Sequence, residues 1–99
     1  MSGRYAEHIA EHRRLSILRL LLESPGYAAN DSVIQSALKR FALIASRDTV
    51  KADIAWLAEQ LLIETETVEH LVVATLAQRG ADVARGDAEV PGVQKPGPR

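Results

Sequence analysis

Ninety-nine residues suffice for one small domain built around a single core. With 46% apolar and 25% charged residues the composition is ordinary for a globular chain, and the absence of cysteine excludes disulfides and thiolate metal sites. Twelve Lys and Arg stand against thirteen Asp and Glu, so the formal charge of −1 excludes the overall basic excess that marks proteins gripping many phosphates; a local basic patch remains open.

A first helix is predicted from about Tyr5 to Glu23, stopped by Ser24-Pro25-Gly26. At about 100° per residue, Leu15, Leu18, Leu21 and Leu22 cluster on one side, while Tyr5, Ile9 and Leu20 fall roughly opposite. A helix apolar on two faces needs two partners. One is the core; the other is the C-terminal helix or a second subunit, which makes a homodimer an expectation. Arg4, Glu7 and Glu11 interrupt any secretory h-region, and the run around Leu20-Leu21-Leu22 is far too short to span a bilayer. No membrane partner is expected, and the absence of cysteine fits a cytosolic chain.

Tyr27-Ala28-Ala29 reads as a short extended segment. Asn30 or Asp31 then caps a second helix with Val33, Ile34, Ala37, Leu38 and Phe41 on one face. Ala42 to Ala45 connect it to the next element, and no glycine marks that turn. Ser46 is the expected N-cap of a third helix, in which Val50, Ile54, Leu57 and Leu61 draw one apolar stripe. The remaining face carries Arg47, Asp48, Lys51, Ala52, Ala55 and Glu59. Trp56 lies about 120° from the stripe's centre, which suits either packing beneath a hairpin or a subunit interface.

Leu62 to Thr67 and His70 to Thr75 are rich in Ile, Val and Thr and predict a hairpin with its tip at Val68-Glu69. Helical spacing returns from Leu76 to Ala84, with Gly86 as the stop. From Gly86 onward the chain holds three of its four prolines and three of its six glycines. The expected division is a folded domain over residues 1–85 and a flexible tail over 86–99.

The run S-R-D-T-V-K-A-D-I-A-W-L-A-E-Q-L-L-I from Ser46 to Ile63 resembles the recognition helix and first wing strand of winged helix-turn-helix proteins of the MarR and ArsR types. Leu76-Ala77-Gln78-Arg79-Gly80 looks like the L-T-x-x-G element that follows the wing in MarR-type proteins, with Ala77 in place of the capping threonine; on that reading the last helix starts at Thr75. The chain as a whole is similar to small winged-helix proteins of Mu-like bacteriophages and prophages. The matching segments are Tyr5-Ala6-Glu7-His8, Glu11-His12-Arg13-Arg14-Leu15, R-D-T-V-K-A-D-I-A-W-L, R-G-A-D-V-A-R-G and Val90-Pro91-Gly92-Val93. The resemblance implies a mainly α fold with a small β-hairpin (α+β), in the order helix, short strand, helix, helix, hairpin wing, helix.

The function implied is duplex DNA binding by helix 46–61, as a regulator or an accessory to phage DNA handling. Ser46, Arg47, Thr49, Lys51 and Ala52 are the expected contacts, because the N-terminal half of such a helix lies nearest the bases. Arg47 suits guanine O6/N7 or a phosphate; Lys51 suits phosphate. Glu64, Glu66 and Glu69 on the wing oppose this, since no Lys or Arg separates Lys51 from Arg79 and carboxylates near phosphates repel. The alternative is a protein adaptor in phage assembly or packaging that uses the acidic wing and the tail.

Two further groups have bland counterparts. Arg13, Arg14, Arg19, Lys39 and Arg40 form either a phosphate-contacting rim or solvated helix faces with favourable dipole charges. His8-Ile9-Ala10-Glu11-His12 matches the H-x-x-E-H metal signature, but short patterns recur by chance and surface histidines are expected, with no metal or cofactor. Ser16, Ser24 and Ser32 have no accompanying His/Asp arrangement, and there is no glycine-rich phosphate loop. The sequence does not read as an enzyme.

Overall fold

The structure, a computed structural model, describes residues 2–97. Among them the elements run α1 (Ser2–Leu22), β1 (Ala28–Asn30), α2 (Asp31–Lys39), α3 (Arg47–Glu59), β2 (Ile63–Val68), β3 (Leu71–Leu76) and α4 (Gln78–Arg85), with a 3-10 turn at Pro25–Tyr27 before β1. This is an α+β arrangement in the expected order. The strands form one antiparallel sheet ordered β1-β3-β2, so the last strand lies between the other two. β1 sets Asn30 opposite Val73, and β2 sets Val68 opposite Leu71 across a two-residue turn.

α1 is the centre of the molecule, touching α2, α3, α4 and β3. Leu15, Leu18 and Leu21 are buried as their spacing demands, and Ile17, on neither predicted face, is buried as well. A helix with neighbours on several sides buries a wider arc than one stripe. The N-terminal turns project: residues 3–8 are all exposed, Tyr5 at 70%.

α2 and α3 end by the same device. Ala42 and Leu61 adopt left-handed backbone (φ 61° and 65°), and the following Leu43 and Leu62 turn inward, their N–H groups donating to Leu38 O and Leu57 O at 3.0 Å. This is the Schellman geometry, built here without glycine. It corrects two expectations. Leu61 is not on the α3 stripe but is 71% exposed, with Leu62 fully buried in its stead. Phe41, one residue before the left-handed Ala42, and Val33 are likewise exposed, leaving Ile34 and Leu38 as the inner face of α2.

α4 starts later than expected. Ala77 occupies the N-cap position and its N–H donates to Leu62 O at 3.1 Å. Gly80 then passes so close to Leu62 that a Cβ there would overlap its carbonyl oxygen and lie 2.8 Å from Leu76 Cδ1. Gly86 closes the helix in left-handed conformation as expected.

The segment after Gly86 is not a free tail over its whole length. Val90 and Val93 join the core cluster, Gln94 N–H donates to Glu11 O at 3.2 Å, and Gly92 O accepts from Arg14 Nη1 at 2.9 Å. Two valines and a turn suffice to dock a segment whose composition reads as linker. Pro98 and Arg99, the end of the expected tail, lie outside the described residues.

Candidate nucleic-acid interface

α3 begins where expected. Ser46 accepts from Thr49 N–H at 3.0 Å, and the two hydroxyls bond to each other at 3.0 Å. Both side chains therefore serve the helix start first. Ala52 is exposed, in line with Asp48, Ala55 and Glu59. The outward line of α3 is thus two alanines between two carboxylates.

Arg47 and Lys51 sit one turn apart at the edge facing α2, their side chains 41% and 42% exposed. Their inner sides are tied. Arg47 Nε donates to Gln35 Oε1 at 3.1 Å, and Gln35 Nε2 donates to Ala45 O at 2.9 Å. Asp31 Oδ2 lies 4.0 Å from Arg47 Nη1 and 3.7 Å from Lys51 Nζ. Asp31 is fully buried; its other oxygen accepts from Val72 N–H at 3.3 Å. The carboxylate takes the β3 donor just before Val73, the partner of Asn30, and so joins the sheet, α2 and α3 at one point.

A buried carboxylate costs several kcal/mol unless cations and donors surround it. Arg47 and Lys51 supply charge compensation from 4.0 and 3.7 Å, without a hydrogen bond to Oδ2, so the two expected contacts also have a structural role. The sequence reading missed this because Asp31 stands at a helix start, where it passes for a cap. Asn30 is the actual cap, accepting from Val33 N–H at 2.9 Å.

The basic group on α1 divides differently from either reading. Arg13 and Arg14 are neither a phosphate rim nor solvated: Arg13 makes a two-pronged ion pair with Asp53, and Arg14 Nε lies 3.7 Å from the same carboxylate. Arg14 also covers the Trp56 ring, with its guanidinium carbon 4.2 Å from the centroid. Asp53 is buried beneath these two arginines and does not reach the outer face of α3. Trp56 lies under Arg14 and the Gly92 turn, where a Cβ at residue 92 would come within 2.5 Å of the indole. Glu64, Glu66 and Glu69 are all exposed on the hairpin.

His8 is exposed, and His12 Nδ1 pairs with Gln94 Oε1. Among the described residues no three His, Cys, Asp or Glu side chains gather as a metal-binding group, and no helix is long and apolar enough to cross a membrane.

No family model matches the chain, and no solved structure matches it. It is 45% identical over 91 residues to an uncharacterised protein, gp26, of Escherichia phage Mu, covering 92% of this chain and 94% of that protein. It is 38% identical over 76 residues to an uncharacterised protein of Haemophilus influenzae, covering 76% of this chain and 74% of that one. With alignments of that identity running along most of each protein, the chain belongs to the family of phage Mu gp26.

Proposed function

We propose that the protein is a non-enzymatic winged-helix domain that binds double-stranded DNA through the first turns of α3, as a regulator or an accessory to phage DNA handling in the bacterial cytoplasm. The observation carrying this reading is the edge where the Ser46-capped start of α3 meets Arg47 and Lys51. A helix N-terminus presents free N–H groups and positive dipole, and two half-exposed cations beside it favour a phosphate. Asp31 and Gln35 hold Arg47 back against α2. It is therefore suited to clamp the backbone rather than to reach a base edge, while Ala52 offers a methyl to a thymine methyl. Glu64, Glu66 and Glu69 are exposed on the hairpin and would be repelled by phosphates, so this reading requires the hairpin to be held away from the duplex. Kinship with phage Mu gp26 supports the phage setting.

The acidic hairpin favours a second reading, a phage assembly or packaging adaptor that recognises a basic partner.

Fluorescence anisotropy on random duplex DNA separates the two. The DNA reading expects affinity to fall tenfold or more between about 50 and 200 mM salt, as several counterions are displaced. It also expects Arg47→Ala/Lys51→Ala, checked for folding by its melting curve, to weaken binding at the lower salt. Absence of binding at the lower salt overturns it. The adaptor reading then expects a pull-down partner that is lost on charge reversal of Glu64 and Glu66.

A further inference from the structure

Charge is segregated on this nearly neutral molecule. Between α1 and the end of α2 lies a groove of about 440 Å³ lined by Leu20, Ala37 and Phe41, by Arg19 and Arg40, and by His12, Ser16 and Glu23. Phe41 is 64% exposed, and Lys39 beside it adds a further positive charge. The hairpin has the opposite character. Glu64, Glu66 and Val68 alternate along β2 and so share one face, opposite Thr75, Val73 and Leu71 of β3. Ala74, on the other face, is fully buried, so the Glu64 face is the outer one. It presents Glu64 and Glu66 and, next to the exposed Glu69-His70 turn, the cross-strand pair of Val68 and Leu71, with Val68 46% exposed.

We propose that the groove between α1 and α2 receives the hairpin of a second copy of this chain, with Glu64 and Glu66 meeting Arg19 and Arg40 and Val68 covering Phe41. Charge complementarity selects this occupant: the groove sets Arg19 and Arg40 beside apolar side chains against the single carboxylate of Glu23, and the outer hairpin face sets Glu64 and Glu66 beside Val68. The interface is heterologous, since each copy offers a groove and a hairpin at different places, and it therefore propagates head to tail into a ring or a filament. Pairing at an exposed rim steers association and weakens as salt screens it. This assembly uses neither Arg47 nor Lys51 and does not depend on DNA binding.

Sedimentation velocity tests it with two variants at exposed positions, Glu64→Lys/Glu66→Lys on the hairpin and Arg40→Glu/Phe41→Ser in the groove. The wild type should associate with rising concentration at about 50 mM salt and lose that association about tenfold or more by about 500 mM. Each variant alone should be monomeric with a wild-type circular dichroism spectrum. Their equimolar mixture should form a dimer and stop there, because one intact groove meets one intact hairpin. A wild type that stays monomeric at the lower salt overturns the proposal. So do variants that still associate alone, as a symmetric dimer through Tyr5 and Ile9 would require, and so does a mixture that remains monomeric.

Discussion

At Gly80 two opposing effects can be compared by size. The residue lies in α4, where alanine is intrinsically favoured over glycine by about 1 kcal/mol. Yet a Cβ there would run into the Leu62 carbonyl, which is backbone and cannot swing aside. Overpacking against an immobile group costs about 2–3 kcal/mol, so the clash wins. Gly80→Ala is expected to lower stability by about 1–2 kcal/mol net, read as a reduced urea midpoint, whereas an exposed helical glycine would show a rise. Asp31 and Asp53 follow a related logic. Each is a buried carboxylate facing two cations from another element, and each fixes a helix by electrostatic compensation rather than by apolar area. Neither pairing is legible in sequence. The partners are separated by 16 to 40 positions, and an Asp or Arg on a helix looks the same whether it faces water or a buried ion.

The segment after α4 shows how far composition can mislead at the level of an element. Its prolines and glycines argue for a linker, and most of its side chains do remain exposed or half-exposed. What composition does not register is that Gly92, at φ 98°, lets the chain turn flat against Trp56 while Val90 and Val93 enter the core on either side. Removing the two methyls of a buried valine loses about 1.5 kcal/mol at about 0.8 kcal/mol per carbon. Val93→Ala is therefore expected to destabilise by about that amount, and to shift Trp56 fluorescence to the red as the turn above the indole loosens. An unchanged emission maximum and urea midpoint would mean that the strap adds nothing to the fold. The helix ends are the mirror case. The stripe rule ran on to Leu61 because a left-handed cap built by Leu, not Gly, carries no compositional mark, while Ser46, Asn30 and Gly86 are caps whose chemistry is visible in the residue itself.

Over the whole molecule, the placement of charge matters more than its total of −1. Four arginine and lysine side chains, Arg13, Arg14, Arg47 and Lys51, face buried carboxylates, so fewer cations are free for phosphate than the count suggests. The hairpin keeps its carboxylates in solvent. Glu64→Gln/Glu66→Gln consequently has opposite expected effects on the two proposed interactions. Duplex DNA binding should strengthen a few-fold at about 50 mM salt, because like-charge repulsion acts over about 10 Å or more there. Self-association should fall in the same buffer. Anisotropy and sedimentation on one sample check both, and movement in the same direction would contradict this division of the surface.

The sequence by itself determined the order of the elements, the apolar stripe of α3 as far as Leu57, the hairpin to within one residue of its turn, and the caps at Ser46 and Gly86, and it narrowed the α2 cap to Asn30 or Asp31. These are set by neighbours within a few residues: side-chain period, capping oxygen, left-handed glycine. Only the tertiary structure decided that Arg13 and Arg14 serve Asp53, that Arg47 and Lys51 lean on Asp31, and that Val90 and Val93 close the core. Each of those joins residues from different elements. Their cause is the cost of burying a charge or leaving a hollow, and both arise only once the helices and the sheet have come together.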